Sequence, residues 1–108
     1  MESFVFLPPP RATVSISGIS GRFPVHRIYC VGRNFAEHAK EMGAVADREA
    51  PFYFTKSSVH YAASGATMPY PPGTNNFHYE MELVAVIGQP AFEVPVDKAL
   101  ECVFGYTC

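Results

Sequence analysis

The run His78-Tyr79-Glu80-Met81-Glu82-Leu83-Val84-Ala85-Val86-Ile87 constrains the fold more than any other segment of the chain. Its first half alternates between two kinds of side chain with the period of a strand. Its second half is apolar without interruption, the pattern of a strand covered on both faces. Together they predict one strand from His78 to Ile87, stopped by Gly88-Gln89-Pro90. Shorter β-branched and aromatic runs read as further strands: Thr13-Val14-Ser15-Ile16, Ile28-Tyr29-Cys30-Val31, Phe52-Tyr53-Phe54-Thr55, and Val103 to Thr107. Turns are expected at Gly18 and Gly21, and Ile28 to Val31 is expected to be buried.

Helical signals are few. After Gly32-Arg33-Asn34 turns the chain, Asn34 is a good N-cap, and Glu37 stands in the capping-box position. Phe35 to Met42 then makes about two helical turns, with Gly43 as terminator. Val96 to Leu100 opens a second short helix. Residues 44–51 and 62–76 read as loops. The regular strand–helix alternation of a doubly wound sheet is absent. The expected class is α+β, mainly β. Residues 1–22 form a strand-and-turn segment ahead of 23–108. The apolar run to Cys108 reads as an element cut short, so a truncated chain is expected.

Composition excludes several functions. Charged residues make up only 17% of the 108, and the net charge is −2. Neither fits the clustered basic face of a nucleic-acid binder. The longest apolar stretch, Leu83 to Ile87, is far too short to span a bilayer. Met1-Glu2-Ser3 lacks the positive start of a signal peptide. Cys30, Cys102 and Cys108 are odd in number and form no CxxC pair. They read as idle thiols of a reducing cytoplasm rather than a zinc site or disulfide framework.

Three constellations bear on chemistry. On the His78–Ile87 strand, His78, Glu80 and Glu82 share one face. The two carboxylates would sit roughly 7 Å apart at the backbone, where their oxygens can converge on a hard divalent cation. The alternative is a strand with its polar face in water. In the Phe35–Met42 helix, His38 and Glu41 are three residues apart and share a face. A carboxylate orienting an imidazole builds a general base near neutral pH, and a solvated surface pair is the alternative. Arg33, in the turn after Gly32, can meet an anion or serve as a structural ion-pair partner. Lys56 could hold a carboxylate or be an exposed lysine. His26 and His60 have no partner at useful spacing.

These segments together resemble the fumarylacetoacetate hydrolase family. The resemblance runs from Phe23 to Gly43, through Pro51-Phe52-Tyr53-Phe54-Thr55-Lys56 and Met68 to Leu83, and ends at Gly105-Tyr106-Thr107. Within the family, Val25 to Gly43 is most similar to bacterial fumarylpyruvate hydrolases of aromatic-acid catabolism. The resemblance implies a mixed β-sandwich roll and a cytoplasmic homodimer. It implies a divalent metal, Mg²⁺ or else Mn²⁺ or Ca²⁺, on Glu80 and Glu82, with a third ligand, an Asp, beyond residue 108. It places the water-activating pair on His38 and Glu41, with Arg33 toward the substrate. The implied reaction is hydrolysis of a carbon–carbon bond in an acylpyruvate, giving fumarate and pyruvate from fumarylpyruvate. Relatives that decarboxylate oxaloacetate, or that isomerise and decarboxylate dienoic acids, leave those reactions open. So does an inactive fragment with an incomplete metal site. The chain departs from the family pattern at Phe35, where Tyr is frequent, at Tyr79, where a second His is frequent, and at Ser57, where Pro is frequent.

Overall fold

The computed structural model describes residues 1–32 and 50–108. Among the described residues there are six short strands: β1 (Thr13–Ile16), β2 (Ile19–Pro24), β3 (Ile28–Gly32), β4 (Phe52–Lys56), β5 (Val84–Ile87) and β6 (Val103–Thr107). They pair antiparallel in three ladders, β1–β2, β3–β4 and β5–β6. Two 3₁₀ segments, Ser58–His60 and Val96–Cys102, are the only helical elements among the described residues. The mainly β reading therefore holds. The chain divides into two units, Met1–Met68 and Pro69–Cys108. The expected helix at Phe35–Met42 lies outside the described residues.

In the first unit, β1 and β2 form a hairpin closed by Ser17-Gly18, with Ile16 opposite Ile19. Gly18 has φ +75°, a conformation that costs glycine little and other residues more. The turn expected at Gly18 is present; the one expected at Gly21 is not. Ser15 pairs with Arg22 while Ile16 pairs with Ile19, so Ser20 and Gly21 are the extra residues of a bulge. Arg22 ties the hairpin diagonally: its Nε donates to Thr13 Oγ1 at 2.7 Å and its Nη2 to the Thr13 carbonyl at 3.0 Å. Diagonal neighbours on one face are within reach of long side chains.

The β3–β4 ladder has unbroken register from Ile28↔Lys56 to Gly32↔Phe52. Directly opposed residues share a face, so Ile28, Cys30 and Gly32 lie with Phe52, Phe54 and Lys56. On β3 this face is half-buried, while Tyr29 and Val31 on the other are exposed. Ile28–Val31 is thus a one-sided strand, not the buried one its apolar composition predicts. The aromatic rings supply the cover. Phe52 and Phe54 rings are 6.0 Å apart, and the Phe52 ring lies across Gly32 where a Cβ would stand.

In the second unit, β5 starts at Val84, six residues later than the sequence predicts. The physical reason is register. Val84 pairs with Thr107 and Ala85 with Tyr106, and the residues from His78 to Leu83 join no ladder with β6. Alternation alone does not make a strand without a ladder. Nor is β5 covered on both faces: Val84 and Ile87 are exposed and only Val86 is half-buried. Val86 pairs with Gly105 and Ile87 with Val103, so Phe104 bulges from β6. The Gly88 N–H then donates to the Cys102 carbonyl at 2.9 Å, continuing the ladder past β5. The short helix expected from Val96 is present as the 3₁₀ segment Val96–Cys102. Cys102, at its end, is 8% exposed and is the one buried residue among those described.

Candidate metal centre

Glu80 and Glu82 lie in the irregular segment that leads into β5, and both are exposed. They follow a loop held by contacts of its own. Pro71-Pro72-Gly73 turns that loop, with Gly73 at φ +82°. The Thr74 hydroxyl accepts the Asn76 N–H at 3.1 Å. The loop is closed by Tyr70 and Phe77. Their rings meet edge to face, 5.7 Å apart and tilted by 77°. The Phe77 N–H donates to the Tyr70 hydroxyl at 3.2 Å. One residue on, His78 Nε2 donates to Asn76 Oδ1 at 2.6 Å. A carbonyl oxygen only accepts, so Nε2 carries the proton in this arrangement.

The chain from Tyr70 to His78 is thereby fixed at both ends, two residues short of Glu80. Sequence reasoning singled out Glu80 and Glu82, on a strand that the structure does not extend to them, and passed over Tyr70, Asn76 and Phe77. The available signal was an aromatic pair spaced around Pro-Pro-Gly, with an Asn two residues before a His.

Carboxylate oxygens are the donors that Mg²⁺ and Mn²⁺ prefer. Glu80 and Glu82 fit such an ion chemically. Among the described residues, no third His, Cys, Asp or Glu gathers with them. Arg33, His38 and Glu41 lie outside the described residues.

In the first unit, the ladder brings together side chains that sequence spacing leaves apart. The start of β3 and the end of β4 border an open cavity of about 450 Å³, lined by His26, Arg27, Tyr29, Thr55, Lys56 and Ser58 among others. Lys56 thus lines this groove together with Arg27 and His26. The neighbouring Ser57 hydroxyl accepts the Val59 N–H at 3.4 Å, capping the Ser58–His60 turn.

Comparison with known proteins adds the context. The fumarylacetoacetate (FAA) hydrolase C-terminal family matches residues 27–108. A fumarylpyruvate hydrolase of Ralstonia sp is 54% identical over 67 residues, covering 60% of this chain and 35% of that protein. A mitochondrial oxaloacetate tautomerase of Arabidopsis thaliana is 42% identical over 80 residues, covering 74% of this chain and 35% of that protein. The crystal structure of fumarylpyruvate hydrolase from Pseudomonas aeruginosa, in complex with Mn²⁺ and pyruvate, superposes with a TM-score of 0.88 at 44% identity. That match covers 96% of this chain and 46% of the other. The chain therefore spans about a third of the length of the curated relatives it matches and under half of the solved structure.

Proposed function

This chain belongs to the fumarylacetoacetate hydrolase family, and on that premise we propose that it supplies part of the active site of an acylpyruvate hydrolase. The proposed reaction is divalent-metal-dependent hydrolysis of a carbon–carbon bond, with fumarylpyruvate the leading substrate and fumarate and pyruvate the products. The observation that carries it is the fold match, over nearly the whole chain, to a fumarylpyruvate hydrolase solved with Mn²⁺ and pyruvate. Residues 23–108 are read as the N-terminal part of the catalytic domain, with 1–22 preceding it. The β-sandwich roll, the homodimer and the cytoplasmic setting belong to the same proposal.

Glu80 and Glu82 would hold the cation, Mg²⁺ or Mn²⁺. When bound, such an ion supplies Lewis-acid polarisation and a template for an oxo-acid substrate. His38, oriented by Glu41, would take a proton from water, which attacks the acyl carbonyl. Arg33 would neutralise a substrate carboxylate. The carbon–carbon bond then breaks, and the pyruvyl carbon regains a proton.

A second reading is favoured by the oxaloacetate tautomerase relatives, one of which matches 74% of this chain against 60% for the Ralstonia sp hydrolase. It keeps the residues and replaces hydrolysis by proton transfer between the enol and keto forms of oxaloacetate.

The test follows the enol absorbance of each substrate, first with Mg²⁺ or Mn²⁺ and then with EDTA. It uses the 108-residue chain and a chimera in which this chain replaces its counterpart in the Pseudomonas aeruginosa hydrolase. Metal-dependent release of pyruvate from fumarylpyruvate by the chimera, lost in Glu80→Ala and His38→Ala, supports hydrolysis. Decay of enol-oxaloacetate without pyruvate release supports the tautomerase. No turnover of either substrate by a folded chimera rejects both.

A further inference from the structure

We propose that the first unit carries a binding groove for a small amphipathic anion, a carboxylate on an apolar body, where the Pro8-Pro9-Pro10 run meets the end of the β3–β4 ladder. Two open cavities adjoin there, since His26 and Ser58 line both. The one already described, about 450 Å³, includes Arg27 and Lys56. The other, about 620 Å³, is lined by the three prolines, Val25, Val59 and Tyr61 among others. Every lining residue belongs to the first unit. The groove is therefore independent of the reading of Glu80 and Glu82.

The two cavities differ in chemistry. Lys56 closes the ladder opposite Ile28, and Arg27 stands one residue ahead of β3, in the link from β2. Both cations thus stand at the same end of the ladder. No Asp or Glu lines either cavity. Among the described residues, neither Arg27 nor Lys56 is ion-paired. Two uncompensated cations bordering one cavity favour an anion, and a guanidinium offers paired N–H donors that match a carboxylate. Tyr29, Thr55 and Ser58 line the same cavity and carry hydroxyls that can donate to its oxygens.

The second cavity suits the apolar body. Proline fixes its own φ, so three in succession make a stiff wall that loses little freedom when a ligand docks. Val25 and Ser58 are half-buried, while Val59 and Tyr61 are exposed, so docking removes apolar surface from water. A mostly apolar lining with a few polar groups to one side is the common form of a small-molecule site. An inorganic anion would use only the first cavity, and a neutral ring only the second.

The test titrates the ¹⁵N-labelled 108-residue chain with benzoate, with benzamide (the same ring without charge) and with inorganic phosphate. Benzoate should move the amides of residues 26–29 and 55–61 and leave those of β5 and β6 in place. It should bind about three- to fivefold more tightly than either of the others, the scale of an exposed ion pair, and more weakly as salt is raised. Arg27→Gln and Lys56→Gln should each weaken benzoate about two- to fivefold and leave benzamide unchanged. Val59→Ser should weaken benzoate and leave phosphate unchanged.

Benzamide binding as tightly as benzoate overturns the role of the cations. Phosphate binding as tightly, with Val59→Ser without effect, overturns the apolar half. Shifts confined to other residues, or none, overturn the groove altogether. None of these outcomes bears on Glu80 and Glu82, which Mn²⁺ titration of the same chain tests separately.

Discussion

Gly88→Ala tests the account of β5 and β6 at the point where the ladder is most crowded. The register leaves Phe104 bulged between Gly105, opposite Val86, and Val103, opposite Ile87. An ideal Cβ on residue 88 would stand 2.7 Å from Phe104 Cβ and 3.4 Å from its Cα. Carbon atoms in favourable contact are about 3.5–4.0 Å apart, so the closer contact is short by roughly an ångström. Phe104 Cβ cannot swing away like the tip of a side chain, because it moves only with its backbone. That backbone is held nearby by the 2.9 Å bond from the Gly88 N–H to the Cys102 carbonyl. Overpacking of this kind costs about 1–3 kcal/mol. The reduced freedom of the unfolded chain on replacing Gly by Ala returns about 0.4–1 kcal/mol. A net loss of about 1–2 kcal/mol follows from those two terms. Amide hydrogen exchange reads it locally, since about 1.4 kcal/mol corresponds to a tenfold change in an equilibrium constant. The amide of residue 88 should therefore lose roughly tenfold of its protection. Gly105→Ala is the control, because a Cβ there meets nothing within 4 Å; protection in β5 and β6 should hold or rise. Equal protection in Gly88→Ala and Gly105→Ala would refute the bulge as the reason for glycine at 88.

Three further outcomes are expected. Gly32→Ala should displace the Phe52 ring, which lies where the new Cβ would go. Because only a ring must move, the cost should stay near the low end, about 1 kcal/mol, and Phe52→Leu should relieve it, as read by chemical shifts of Cys30 and Phe54. Thiol labelling of the native chain should be fastest at the exposed Cys108, slower at the half-buried Cys30 and slowest at the buried Cys102; mass spectrometry of partly labelled chains gives the order, and early labelling of Cys102 would contradict its burial. In the chimera, His38→Ala should lower kcat by about 10²–10⁴-fold if His38 is the general base, with Mn²⁺ affinity unchanged.

Much of the local structure was legible in the sequence. Thr13–Ile16, Phe52–Lys56 and Val103–Thr107 are strands where β-branched and aromatic residues cluster between Gly and Pro. Gly18 marks a hairpin turn because it takes a positive φ. The loop over residues 62–76 and the helical turn after Pro95 follow from the same short-range rules. Family membership was legible too, because it rests on the order of short motifs along the chain. Arg33, His38 and Glu41 were legible only as candidates, and they lie outside the described residues.

What tertiary structure decided was pairing. The His78–Glu82 alternation has the period of a strand, yet the strand begins at Val84. Which residues enter a ladder depends on a partner some twenty positions away, and periodicity carries no information about that partner's register. The same holds for the two bulges, at Ser20-Gly21 and at Phe104, each visible only once both strands are aligned. The Tyr70–Phe77 clasp likewise needs the loop to fold before ring and amide meet. Short-range propensity and motif order are written in adjacent residues, so the sequence by itself determined the kinds of element and the family. Register and burial arise from contacts between residues far apart in the chain, and only the folded backbone decided them.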